Sequence, residues 1–333
     1  MPILEQGYEP YRGPVDRGAA RFLAIAGAAI KRNRHRYAWI LLLLSWIFGS
    51  SVEYFFVFFV YAVPAMGIQG GPGGEAFFQA FVDHPNFHSD MMASQVFWAL
   101  AMATVVGAGE IAEDFRTGAL VFYLGRPVTR LDYVLGKSAA VSVAVLAVTL
   151  APTLLLFCAQ ALFEGSWTWL RDHARVPLAA ATMSLLVCVF ASGFVLGISS
   201  LVRRRRWATV TVVAVLVGLT VVASVLAPAR AWTSDREQEQ AAQAVRAATT
   251  PEERKAAYRR LSDALDPLGS GSAMAEWRAL SPGSLLAACG RDLFGNPLPG
   301  NFPPGRHWAL ALGVPVLLLG VLARRVRGVE VVS

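Results

Sequence analysis

Six apolar runs, at about 38–63, 91–112, 133–162, 178–202, 207–229 and 307–323, are the feature that most limits what this chain can become. A helix rises 1.5 Å per residue, so about 20 apolar residues cross the roughly 30 Å of bilayer hydrocarbon. The runs are continuous and do not alternate, which excludes a membrane β-barrel built from short dyad-patterned strands. With 55% hydrophobic and 16% charged residues, the composition of the 333-residue chain agrees. The expected fold class is therefore all-α: a polytopic integral membrane protein with six transmembrane helices. The first run, Tyr37 to Val63, far exceeds the roughly 7–15 residue core of a signal peptide and reads as a retained span.

Charge placement sets the orientation. Lys31, Arg32, Arg34 and Arg36 precede the first run, and Arg116, Arg126, Arg130 and Lys137 follow the second. Arg203 to Arg206 follow the fourth, and Arg324, Arg325 and Arg327 follow the sixth. An even number of spans puts all of these on one side. The short loops opposite, 64–90 and 163–177, carry only Arg171 and Arg175 between them. The positive-inside bias then makes both termini cytoplasmic. The same bias accounts for most of the net charge of +7 without nucleic acid, since no basic groove is interleaved with aromatic residues.

The chain is expected to divide into four segments. Residues 1–36 form a cytoplasmic tail ending in a basic amphipathic helix with Phe22, Ile25, Ala26, Ala29 and Ile30 on one face, read as lying in the headgroup plane or else extending the first span. The 37–229 region holds spans one to five. The 230–306 region is long enough for a small external helical domain: Thr250, Pro251 and Glu253 form a helix start. "ALSPGSLLAACGRDLFG" reads as an interfacial helix returning the chain to the membrane. Residues 307–333 form the last span and a cytoplasmic tail.

Few side chains announce chemistry. Cys158, Cys188 and Cys289 are too dispersed for a disulfide framework or metal site, and Cys158 and Cys188 read as small buried residues. His84 and His88 stand four apart, but Pro85 interrupts the helix that would align them. No Ser-His pair, acid pair or His cluster in the spans supports an intramembrane enzyme. Glu53 is the one acid well inside a span and must face protein or water, either on a substrate path or hydrogen-bonded by Ser50 or Ser51. Gly193 and Gly197 form a G-x-x-x-G pattern that allows close helix packing inside the protomer. Arg203 to Arg206 read as inner-leaflet anchors or as contacts to a partner.

The stretch between the second and third spans, "EDFRTGALVFYLGRPVTRLDYVLGKS", is too charged for lipid. Its Gly136-Lys137-Ser138 matches the tail of a phosphate-binding loop, but Leu131 stands where that motif needs its first glycine, so Lys137 reads as a cytoplasmic anchor. Glu113 to Leu124 is expected to be a short helix with Phe115, Ala119, Phe122 and Tyr123 on one face, ended by Gly125 and Pro127. Thr129 and Asp132 form a capping box for the next helix.

The run from Glu110 to Lys137 has an acidic start, Gly118, a leucine-containing stretch, Arg126-Pro127-Val128-Thr129-Arg130 and a Gly136-Lys137 ending. It resembles the cytoplasmic loop of ABC-2-type transporter permeases, particularly the NosY/GldF-like branch. The resemblance implies a permease subunit of a bacterial cytoplasmic-membrane exporter with no cofactor of its own, ATP and Mg residing on a separate ATPase subunit. It implies dimerisation with a second copy or a related permease. Glu113 to Leu124 would be the coupling helix, with Phe115, Leu120, Phe122 and Tyr123 docking apolar surface and Glu113, Asp114 and Arg116 making polar contacts. Arg126, Pro127 and Arg130 would fix the turn behind it. A non-transporting, ATPase-linked complex is the alternative, in which 230–306 transmits force to a periplasmic or wall partner.

Overall fold

The computed structural model describes residues 21–33, 36–66, 86–119, 129–229, 280–296 and 305–327, with a few isolated positions between. The expected helices of 230–279 lie outside the described residues. No strand occurs among those described. The N-terminal helix is α1, Arg21–Asn33. Span one is α2, Arg36–Val57, running into a π-helical turn at Phe58–Ala62. Span two is α3, Phe87–Gly107, continued after a two-residue turn by α4, Glu110–Arg116. Span three is α5, Arg130–Glu164; a short α6, Trp167–Asp172, leads to span four, α7, Arg175–Leu201. Span five is α8, Arg205–Ala229, and α9, Pro282–Phe294, precedes span six, α10, Arg306–Arg327.

Six helices are thus long and apolar enough to cross a membrane, as the apolar runs require. Their ends are set by local chemistry. Thr129 caps α5 through the expected box: its hydroxyl accepts from the Asp132 amide at 3.1 Å, and Asp132 Oδ2 accepts from the Thr129 amide at 2.9 Å. At the other end Gly165 takes the left-handed conformation, φ 59°, that stops the helix.

Span four is the core. Of its most apolar stretch 78% is buried, against 22%, 17% and 22% for spans one, five and six, which therefore lie at the periphery with Leu43, Val217 and Leu317 exposed. Gly193 and Gly197 bring α7 onto α10: a Cβ at Gly193 would sit 2.6 Å from Pro315 Cβ, and one at Gly197 would sit 2.6 Å from Leu318 Cβ. Polar side chains join spans one, two and three. Gln95, fully buried, donates to Ser50 Oγ at 3.0 Å and accepts from Thr153 Oγ1 at 3.2 Å. Trp46 donates to the Ala147 carbonyl at 3.0 Å, and Tyr54 to the Pro152 carbonyl at 2.6 Å. In hydrocarbon such bonds satisfy groups that water cannot reach.

Three expectations change. The apolar face of α1 is not spread on lipid: Ile25, Ala26 and Ala29 are buried against α5, because Gly136 lets the two backbones approach until a Cβ there would lie 2.8 Å from the Phe22 carbonyl. Helix α9 is no surface helix either. Leu286 and Cys289 are fully buried in the main core, and Arg291 pairs with Asp90 at 3.5 Å. Cys188 is buried but Cys158 is exposed.

Candidate functional site

The chemistry gathers at the end of the bundle where α1, α4, the start of α5 and the α7–α8 connection meet. Gly109 turns the chain from α3 into α4. There Ser199 of α7 donates to the Ala108 carbonyl at 2.5 Å and accepts from the Ala112 amide at 3.4 Å, which pins α4 to the core helix. A Cβ at Gly109 would lie 2.5 Å from the Arg205 side chain, so any other residue there would displace that arginine.

Glu110 and Asp114, one turn apart, share the inner face of α4. Two carboxylates so placed repel unless a cation sits between them, and Lys137 does. Its ammonium is 2.7 Å from Glu110 Oε2 and 2.7 Å from Asp114 Oδ2, with the lysine side chain 1% exposed. Tyr133, one turn before Lys137, donates to Asp114 Oδ2 at 2.8 Å. From α1, Arg32 donates through Nε to Glu110 Oε1 at 3.2 Å, through Nη2 to Glu110 Oε2, and through Nη1 to Asp114 Oδ1 at 3.3 Å. Burial alone would lower the Arg32 value, but the hydrogen bonds and charges of Glu110 and Asp114 outweigh it and raise the guanidinium further, so it stays charged. Two cations thus meet two carboxylates in one cluster that fastens three helices together.

This arrangement revises the reading of several residues. Lys137 is not a solvated anchor but the buried centre of the cluster, and the Gly136-Lys137-Ser138 stretch packs α1 and binds carboxylates of its own chain. Asp114 is 1% exposed and turned inward, so it presents no surface to a partner. Tyr133 was not singled out from the sequence, and Arg32, Glu110 and Lys137 were read there as flanking charges or as ends of a motif, not as partners. The signal for them was the four-residue spacing of Glu110 and Asp114 at the edge of an apolar run.

The outer face of α4 is different. Glu113 and Arg116 pair with each other at 2.5 Å, with the arginine side chain 58% exposed. Phe115 is half-buried against the main core. Helix α4 ends at Arg116, so the stretch expected as one helix is interrupted there, because the Thr117 hydroxyl turns back onto the Glu113 carbonyl at 2.9 Å and Gly118 adopts a left-handed φ of 68°. Arg130 is the half-buried first residue of α5. Leu120, Phe122, Tyr123, Arg126 and Pro127 lie outside the described residues. Glu53 is half-buried in α2, three residues after Ser50, whose hydroxyl accepts from Gln95. His88 shares a 3.1 Å hydrogen bond with Gln160, and no group of three metal-ligating side chains occurs among the described residues.

Beyond α4 a cavity of about 1080 Å³ opens between its outer face and the α7–α8 connection, floored by Arg325 of α10. Arg325 donates to the Ser200 carbonyl, closing that end of the bundle.

The sequence model of one family, described as ABC-2 family transporter protein, matches residues 29–273. The match takes in the end of α1, the first five spans and the whole ionic cluster, and stops before α9 and α10. No curated protein matches the chain. A match over well more than half of the 333 residues, on a six-helix membrane bundle, places this chain in the ABC-2 family as a permease subunit of an ABC transporter.

Proposed function

We propose that the exposed end of α4 is where a separate ATPase subunit, carrying ATP and Mg, drives this permease. The observation that carries the reading is the two-sided character of α4. Its inner carboxylates are locked to α1 and α5, while Glu113, Phe115 and Arg116 remain at the other face. A push on that face moves α1 and spans two and three as one body, since burial makes the cluster costly to break. Nucleotide-driven closure of the ATPase pair would then switch access to a path between two permease copies, in the direction of export. The basic end of the bundle faces the cytoplasm of a bacterial cell in this reading, and the peripheral spans one, five and six offer apolar surface to lipid or to the second copy.

Exchanging the two charges, Glu113→Arg with Arg116→Glu, tests this directly. The pair keeps its local salt bridge in reverse, so the helix is preserved while every long-range contact changes sign. The expected outcome is an ATPase complex weakened about tenfold or more, equivalent to 1.4 kcal/mol, with substrate transport lost from proteoliposomes. Unchanged binding and transport would remove α4 as the coupling element.

A further inference from the structure

Arginines crowd the cavity beside α4, and among the described residues one acid faces them. Arg116, Arg203, Arg204, Arg205, Arg206 and Arg325 line it against the single carboxylate of Glu113. Arg116 is taken up by Glu113, and Arg325 donates to a carbonyl. Arg203 to Arg206 make no ion pair among the described residues. Like charges on four consecutive residues repel one another, more strongly at low salt. A concave wall of one sign concentrates an anion.

The backbone supplies matching donors. Arg204 is the N-cap of α8, its carbonyl accepting from the Ala208 amide at 2.9 Å, and its side chain has no oxygen with which to cap. The first amides of a helix have no intrahelical acceptor and can bind an anion, and guanidinium groups match phosphate oxygens in bidentate fashion.

What distinguishes a lipid from a soluble phosphate is the surface next to the cavity. Trp207, in the cavity lining, is 60% exposed, as an indole is at a membrane interface. Beyond it Val210, Val213, Val217 and Val221 are exposed at helical spacing along α8. A phosphate seated among the arginines would have this strip directly alongside for acyl chains, which a free phosphate cannot use. We infer that the cavity between α4 and the α7–α8 connection binds the phosphate headgroup of an anionic phospholipid, its chains lying on the valine face of α8. The cavity shares Glu113, Phe115 and Arg116 with the face assigned to the ATPase, but its test is made on the permease alone, so the two readings fail separately.

The test is native mass spectrometry of the full chain from vesicles of equal phosphatidylglycerol and phosphatidylcholine. The wild type is expected to retain phosphatidylglycerol preferentially. Arg203→Gln/Arg204→Gln/Arg206→Gln should cut the preference about a hundredfold, at about fivefold per arginine, while the corresponding lysine variant keeps most of it and Arg171→Gln is unchanged. Should the glutamine variant fail to fold, wild-type tryptophan quenching decides: brominated phosphatidylglycerol must exceed brominated phosphatidylcholine, with the excess removed by Trp207→Phe. Equal retention by the glutamine variant, or equal quenching, overturns the site. Displacement of the lipid by millimolar inorganic phosphate assigns the cavity to a soluble anion and overturns the lipid. Loss of ATPase binding with unchanged lipid retention gives it to an acidic segment of the partner, with the same result.

Discussion

Lys137→Met is expected to lower the stability of the folded chain by about 3–5 kcal/mol, the cost of removing one partner from a buried ion pair. The methionine leaves Glu110 and Asp114 facing each other with only Arg32 between them, and that side chain is nearly half exposed. Unfolding in detergent, followed by circular dichroism, measures the loss. The second arm identifies its origin. Lys137→Met with Asp114→Asn removes one charge of each sign, leaves Arg32 on Glu110, and lets Tyr133 donate to the amide oxygen. Coupling between adjacent groups predicts that the double variant recovers much of the single-variant loss. If the two losses simply add, the cluster is not acting as a unit.

Gly193→Val is expected to separate spans four and six, at a cost of about 1–3 kcal/mol or more, because the new side chain meets backbone that cannot move aside. A Cβ there would be 2.8 Å from the Pro315 carbonyl oxygen as well as 2.6 Å from its Cβ. Gly320→Ala is the matched control on α10, where a Cβ meets nothing within 4 Å. The thermal midpoint should fall for the first variant and hold or rise for the second. A Gly193→Val midpoint equal to wild type would show that the α7–α10 contact gives way easily.

Both predictions bear on how much of the molecule could be read from its sequence. Span positions were legible because hydropathy and helix length are local quantities. So were the Thr129–Asp132 cap and the small-residue spacing of Gly193 and Gly197. The ionic cluster was not. Arg32 and Glu110 are 78 residues apart and Glu110 and Lys137 are 27 apart, so their pairing depends on how the helices pack. A lysine at the edge of an apolar run ordinarily snorkels to water. Lys137 does not, because α1 lies over that edge, and α1 lies there because Gly136 leaves room. The interruption after α4 was missed for a local reason: Thr117 and Gly118 form a stop signal inside the stretch read as one helix from Glu113 to Leu124.

The cluster also has a consequence for assembly during synthesis, since its members are far apart along the chain. Ribosomes deliver Arg32 first, then Glu110 and Asp114, and Lys137 last. Until Lys137 emerges, two carboxylates share a single half-exposed guanidinium, and desolvating them is unfavourable. Burial of the tail of span two is therefore expected to be complete only once span three has emerged, with the lysine as the closing piece.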